Sequence, residues 1–373
     1  MRPYQTNGVP VTQPFLPPLE EFVVYLQKIW DNKQLTNNGP FHQQLEEALA
    51  SYLGVKHVAL FSNGTLALIT ALQALGISGE AVTTPYSFVA TSHALRWNGI
   101  KPVFADIDRK TLALDPARIE AAITEHTTAI VPVHCYGYPC DVEAIQKIAD
   151  KHKLKVIYDA AHAFGVQYKS SSILNHGDLS VLSFHATKVF NTFEGGAIIC
   201  HDAAMKLHID ELKNFGIINE VSVTEAGING KMSEINAAMG LLQLQHMDTV
   251  LSQRQAIDAQ YRALLSTVEH IECLQPPEHT DRWNYSYFPI LVRPGYPISR
   301  DALYQKMRDN NIFPRRYFYP LISEFPMYKD MASAAPGNLP VATEITQQIL
   351  CLPIYPSLNI DHLKQVVDII KSQ

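Results

Sequence analysis

Lys188 stands just beyond an apolar run, in Ser183-Phe-His-Ala-Thr-Lys188, and shortly before Glu194-Gly195-Gly196. A lysine at the mouth of a buried sheet loses hydration, which disfavours its charged form and draws its pKa from about 10.4 toward neutrality. The neutral amine that results can attack a carbonyl carbon. A solvated surface lysine does none of this, so the assignment rests on what other segments deliver to the same place.

Three segments do so. Lys155-Val-Ile-Tyr-Asp159-Ala-Ala-His162 is a β-rich apolar run that ends in a carboxylate and then an imidazole. An unpaired carboxylate at the end of a buried strand is costly. A protonated pyridine nitrogen opposite Asp159 would keep both groups ionised; capping the next helix or pairing an arginine would also satisfy it. His162 and His185 could donate to a phenolic oxygen or orient neighbours, or serve as structural histidines.

Ser62-Asn63-Gly64-Thr65 follows the apolar Val58–Phe61 and opens a helix. Free amides and the positive end of the helix dipole make an anion site there, with Gly64 permitting close approach; a simple helix cap is the alternative. Ala81-Val-Thr-Thr-Pro85 runs into Tyr86-Ser87-Phe88. Phe88 could stack on a flat ring or fill the core. A phosphate anchor, a stacking face, an acid for a pyridine nitrogen and a lysine for an aldehyde together match pyridoxal 5′-phosphate.

These residues need a scaffold that brings them together. Residues 1–18 are proline-rich and aperiodic, and read as an arm lying on the surface or on a partner subunit. Helical spacing marks Leu19–Asp31 and Phe41–Leu53. From Val55 the chain repeats strand, turn and helix. Strands are predicted at His57–Phe61, Ala81–Thr84, Pro102–Asp106, Thr128–His134, Lys155–Asp159, Leu179–His185 and Ala197–Cys200. Helices are predicted at Thr65–Leu75, Ser87–Trp97 and Val142–His152, and another begins at Asp115-Pro116.

Short apolar strands alternating with amphipathic helices imply an α/β fold with a mostly parallel central sheet covered on both faces. Ligands of such sheets sit beyond the carboxyl ends of the strands. Ser62 to Thr65, Phe88, Asp159, His162 and Lys188 all follow such ends, so one crevice could hold them. A long amphipathic stretch from Ser233 to about Leu265 could link two domains, and the remainder, with the strand Tyr287–Val292 and helices near Ser299–Asn310 and Asp361–Lys371, reads as a smaller α+β unit. The expected division is 1–249, with the arm, and 250–373.

Composition narrows the class. Of 373 residues, 47% are hydrophobic and 18% charged, as in ordinary globular proteins. Lys and Arg total 30 against 36 Asp and Glu, a formal charge of −6 with no basic run, which argues against nucleic acid as a partner. No stretch approaches the roughly twenty apolar residues that span a bilayer, and Met1-Arg-Pro-Tyr-Gln-Thr lacks a signal pattern. Five scattered cysteines without a CxxC pair fit a reducing, cytoplasmic setting. Cys135, Cys140 and His134 lack zinc-ligand spacing, so no metal is expected.

The motifs resemble, nearly end to end, the DegT/DnrJ/EryC1/StrS family of pyridoxal phosphate-dependent sugar aminotransferases, of fold-type I architecture. They are Asn38-Gly39-Pro40, Ser62-Asn-Gly-Thr-Leu-Ala-Leu68, Thr84-Pro-Tyr-Ser-Phe-Val-Ala-Thr91, Pro102-Val-Phe-Ala-Asp106, Asp159-Ala-Ala-His-Ala163, Ser183-Phe-His-Ala-Thr-Lys188, Glu194-Gly-Gly196 and Gly227-Ile-Asn-Gly-Lys-Met-Ser-Glu234. The resemblance implies that Lys188 binds the cofactor aldehyde and shuttles a proton, while Asp159 holds the pyridinium. Phe88 would cover the ring and His162 contact its hydroxyl. Gly64, Thr65 and Ser183 would hold the phosphate. Asn229 would reach it from a neighbouring subunit, which implies a homodimer with shared active sites. His185, Arg316, Tyr317 and Tyr319 are the substrate candidates, and a surface role suits the last three equally.

The family retains transamination where this lysine is present and becomes dehydratase where histidine replaces it; Lys188 implies transamination. The Ser-Phe-His-Ala-Thr-Lys form followed by Glu-Gly-Gly is more similar to members that aminate C4 of the sugar than to C3-aminating members with Tyr-Pro-Gly-Lys. The implied reaction moves an amine from glutamate to dTDP-4-dehydro-6-deoxyglucose, giving dTDP-4-amino-4,6-dideoxyglucose for a bacterial surface polysaccharide such as O-antigen, or for a natural product. C3 amination, a GDP- or UDP-linked sugar, or a non-catalytic regulator are the alternatives. A regulator would lack the lysine or carry a nucleic-acid-binding appendage.

Overall fold

The computed structural model describes residues 8–373. A seven-stranded sheet forms its centre, in the order His57–Phe61, Gly196–Cys200, Leu179–Ser183, Lys155–Asp159, Thr127–Val131, Glu80–Thr83 and Lys101–Phe104. All run parallel except Gly196–Cys200, which is antiparallel to both neighbours. Its reversal places Gly196 opposite Phe61 and Ser183, at the carboxyl ends of the adjacent strands. The strands are almost wholly buried, as a sheet covered on both faces by helices requires.

Local chemistry sets the helix starts. Asn63 caps the helix Gly64–Ala74 by accepting from the Leu66 amide at 2.9 Å. Asp115 accepts from the Ala117 amide at 2.9 Å ahead of Pro116. The helix predicted from Ser87 begins at Ala90, because Ser87 and Phe88 form the turn that leads into it. The strand predicted to reach His185 ends at Ser183, where the chain turns toward Lys188.

Two motif carboxylates do structural work. Asp106 accepts from the amides of Val341 and Ala342, at 2.8 and 2.9 Å, and so caps the helix Pro340–Gln348. Glu234 accepts from the amides of Phe41 and His42, at 2.9 and 2.8 Å, at the start of the helix Pro40–Leu53. A Cβ on Gly39 would lie 2.4 Å from the Glu234 carboxyl carbon, so the two motifs fit as a pair.

Helix Glu234–Leu265 has 32 residues and is about 48 Å long at 1.5 Å per residue. Ala237 to Leu251 pack in the core beside the large sheet. Ile257, Tyr261 and Leu265 pack in a second core with the antiparallel sheet Ile271–Cys273, Phe288–Val292, Ile349–Leu352 and the helices Arg300–Asp309 and Ile360–Lys371.

The described part of the N-terminal arm lies on its own chain. Val9–Pro10 pairs in parallel with Ile312–Phe313, Val9 and Val11 are buried, and the Phe15 carbonyl accepts from Gln243 at 2.8 Å. Two valines spaced by two residues give the arm one apolar side to bury, a pattern too short to read from sequence. Residues 1–7 of the predicted arm lie outside the described residues. No helix among the described residues is long and apolar enough to cross a membrane.

Candidate active site

Asp159 ends its strand buried beneath the sheet's carboxyl edge. Burial pushes its pKa up; hydrogen bonds from the Thr91 hydroxyl, at 2.7 Å, and the Ala161 amide, at 3.1 Å, oppose this, as does the charge of Lys188. Among the described residues no cationic side chain forms an ion pair with Asp159. It caps no following helix either: the chain continues as turns through Gly165. The carboxylate is therefore placed to receive a cation from a ligand.

Lys188 is half-buried in the turn after Leu179–Ser183, where its amide donates to the His185 carbonyl at 2.8 Å. Desolvation lowers its pKa to about 8, against the opposing pull of Asp159. His162 is buried, and burial, followed by the charge of Lys188, drives its pKa well below the usual imidazole range. The Tyr136 amide donates to its Nδ1 at 3.2 Å, which assigns the ring proton to Nε2. Lysine, carboxylate and neutral imidazole thus form one electrostatic unit. The recess beside Lys188 is lined by Ala161, His162, Thr187, Asn284, Ser286 and Tyr287.

The candidate anion site is the start of the helix Gly64–Ala74. Gly64 and Thr65 open an 11-residue helix, where their amides have no carbonyl four residues back within the helix. A Cβ on Gly64 would stand 3.0 Å from Ser183 Cβ and 3.3 Å from its Oγ, so Ser183 lies against this turn. A Cβ on Gly196 would come within 2.7 Å of the Gly64 nitrogen, which explains the second glycine of Glu194-Gly-Gly196: the reversed strand supports the turn from below.

Phe88 is not a core aromatic. It is 60% exposed, and its carbonyl accepts from the Thr91 amide at 3.3 Å, one turn from the side chain that meets Asp159. His185 is exposed; its Nδ1 contacts Thr187 Oγ1 at 2.8 Å and its Nε2 lies 3.6 Å from Glu194. Asn229 is exposed and bridges to Asn214 next to Gly230, whose carbonyl accepts from the Ser62 amide at 2.8 Å.

The three remaining candidates divide. The Tyr317 carbonyl accepts from the hydroxyls of Tyr86 and Tyr136, and its ring stands 5.5 Å from Tyr287, itself 5.0 Å from His162. Arg316 pairs with Asp301 at 2.8 Å and is flanked by the rings of Tyr304 and Tyr319. Its charge and the Tyr319 face are thus already engaged within the chain.

Residues absent from the sequence-based set complete the site. Asn284 Nδ2 donates to the His162 carbonyl at 2.8 Å, and Ser286 Oγ lies 2.9 Å from that carbonyl and 2.6 Å from Asn284 Oδ1. Phe318 lies parallel to the His162 ring, with centroids 6.2 Å apart. Thr91 and Tyr136 make the contacts described above. Polar Asn284 and Ser286 directly before an apolar strand were the available signal, but they precede its amino end, where a parallel-sheet rule does not look.

The sequence and the fold can be compared with known proteins. The chain is 58% identical over 361 residues to dTDP-4-amino-4,6-dideoxy-D-glucose transaminase of Shigella dysenteriae, covering 97% of this chain and 98% of that one. It is 57% identical over 352 residues to the Escherichia coli protein of the same name, covering 94% and 95%. The crystal structure of DesI in the presence of its TDP-sugar product superposes with a TM-score of 0.94 at 33% identity, covering 99% of this chain and 93% of that one. Residues 19–371 match the model of the DegT/DnrJ/EryC1/StrS aminotransferase family, and the chain belongs to that family.

Proposed function

We propose that this aminotransferase moves an amine from glutamate to C4 of dTDP-4-dehydro-6-deoxyglucose, giving dTDP-4-amino-4,6-dideoxyglucose. The site chemistry rests on one observation above all: Asp159, a buried carboxylate with no ion pair among the described residues, lies within the field of Lys188, a lysine of lowered pKa that lines one recess with the neutral His162. The choice of sugar rests on near-full-length identity of 57–58% to two transaminases named for that product.

The residues fit pyridoxal phosphate, the family's cofactor. Asp159 would face the ring nitrogen, His162 would donate from Nε2 to the ring hydroxyl, and Phe88 would cover one face. Gly64 and Thr65 amides with the Ser183 hydroxyl would hold the phosphate, and Lys188 the aldehyde end. Bound there, the cofactor supplies an electron sink for the carbon that loses its proton.

Lys188 as a neutral amine would take the proton from the α-carbon of glutamate and, in the return half, deliver a proton to C4 of the sugar; the amino group would pass by way of the cofactor, with water supplying the oxygen of the departing 2-oxo acid and carrying away the sugar's oxo oxygen. The charge on Asp159 favours the protonated ring, and the fixed tautomer of His162 keeps its donor turned toward the oxygen.

The same reading has two subunits share each site. Exposed Leu19, Val23 and Trp30 on helix Leu19–Asn32, and Ile218, Val221 and Val223 in the hairpin before Asn229, supply apolar surface for a second copy. Division of the chain near 249/250 fits the change of core along helix Glu234–Leu265. Five free cysteines fit a reducing cytoplasm, and biosynthesis of a surface polysaccharide fits the sugar.

A substrate panel tests the proposal. With glutamate, turnover should favour the dTDP-linked 4-ketosugar over 3-keto, GDP- and UDP-linked sugars; preference for any of those would displace it.

A further inference from the structure

The first turn of helix Ala90–Trp97 does more than lead away from Phe88. Thr91 Oγ1 lies 2.7 Å from Asp159 Oδ2, 3.0 Å from Ser87 Oγ and 3.3 Å from the Phe88 carbonyl. All three side chains of this chain of contacts, Ser87, Thr91 and Asp159, are buried. A hydroxyl has one proton to give. The shortest and charge-assisted acceptor is the carboxylate, so Thr91 donates to Asp159 and its lone pairs accept from Ser87.

From this geometry we infer that Ser87 and Thr91 are positioning residues, a hydroxyl relay that fixes the orientation and negative charge of Asp159. The inference rests on the proposed pairing of Asp159 with the ring nitrogen. Successive hydroxyls polarise one another in a low-dielectric surrounding, which strengthens the last bond. The Ala161 amide holds the other carboxylate oxygen at 3.1 Å, so the plane of the carboxyl is fixed from both sides. Burial alone raises the proton affinity of Asp159, and the Thr91 bond is the first of the interactions that counter it. Phe88 lies just before this helix, and its carbonyl accepts from the Thr91 amide at 3.3 Å, which ties the residue proposed to cover the ring to the residue that holds its nitrogen partner.

The test uses full-length enzyme reconstituted with pyridoxal phosphate carrying 15N in the ring. Ring-nitrogen chemical shift and cofactor dissociation constant are measured for wild type, T91V, T91S, S87A and D159N. Thr91→Val keeps the shape and removes the donor. It should weaken cofactor binding about tenfold and move the ring nitrogen toward its unprotonated shift. Thr91→Ser should restore both, and Ser87→Ala should move both in the same direction by less. D159N is the control: an unchanged nitrogen shift there would overturn the Asp159 pairing itself. A shifted D159N beside a T91V of wild-type shift and affinity would overturn the relay and leave the pairing standing. Should T91V fail to fold, S87A decides, and wild-type shift and affinity in that variant would overturn the relay.

Discussion

Asn284 Nδ2 donates to the carbonyl oxygens of both His162 and Phe164, at 2.8 and 2.9 Å. Asn284 leads into the strand Phe288–Val292, part of which packs in the second core, while His162 lies in the turn after the large-sheet strand Lys155–Asp159. One amide group therefore joins the C-terminal part of the chain to the candidate active site. Asn284→Ala removes the amide donor to both carbonyls and the Oδ1 that lies 2.6 Å from Ser286 Oγ. It should lower stability by about 1–3 kcal/mol and kcat by about tenfold, read by urea unfolding and steady-state kinetics. A variant with wild-type kcat would show that this anchor does not position His162.

Lys188 gives a pH dependence with a definite sign. Its pKa is lowered to about 8 by desolvation, so at pH 7 about a tenth of the amine is neutral, against roughly one part in 2,500 for an ordinary lysine. Capture of pyridoxal phosphate by the apoenzyme should therefore accelerate with rising pH and level off above about pH 8 to 9. Stopped-flow absorbance checks this; a rate still climbing past pH 10 would mean that the lysine is not desolvated.

Shared sites predict complementation. Lys188→Ala and Asn229→Ala should each be nearly inactive alone. Mixed, unfolded and refolded together in equal amounts, they should recover about a quarter of wild-type activity, since half the dimers are mixed and each mixed dimer has one intact site. No recovery would place Asn229 in the site of its own subunit.

The catalytic candidates could be proposed because an α/β sheet collects its chemistry beyond strand ends: Asp159 closes one unmistakable apolar strand, and Lys188 stands in the turn five residues after another ends at Ser183. The cofactor's proposed contacts were legible for the same reason. Other features were not. A strand buried on both faces carries no sign of direction, so the reversal of Gly196–Cys200 was hidden, and with it the role of Gly196 under Gly64. Thr91 reads as an ordinary helix residue, and its partner lies 68 positions away. Asn284 sits 122 residues from His162, a pairing that no local pattern reports. Phe88 could be read as core or as site; its exposure, absent from sequence, separates the two.

Away from the site, Glu46 sets the acid limit of the fold. Burial raises its pKa, but the His42 hydrogen bond and the charges of Lys213 and Lys206 outweigh that and hold it far below the usual range. A carboxyl depressed on folding contributes stability that is present above its unfolded pKa, about 4.5, and is lost as pH falls toward its folded value. Tm should drop steeply below about pH 4.5, and Glu46→Gln should start lower and flatten that drop. An unchanged slope in the variant would assign the acid sensitivity elsewhere.

The most direct test follows the nitrogen itself. Purified enzyme with pyridoxal phosphate, 15N-glutamate and dTDP-4-dehydro-6-deoxyglucose should yield a nucleotide sugar whose 15N is bonded to C4, seen by NMR, and Lys188→Ala should yield none. Label on C3, no label in the sugar, or undiminished product from Lys188→Ala would contradict the account.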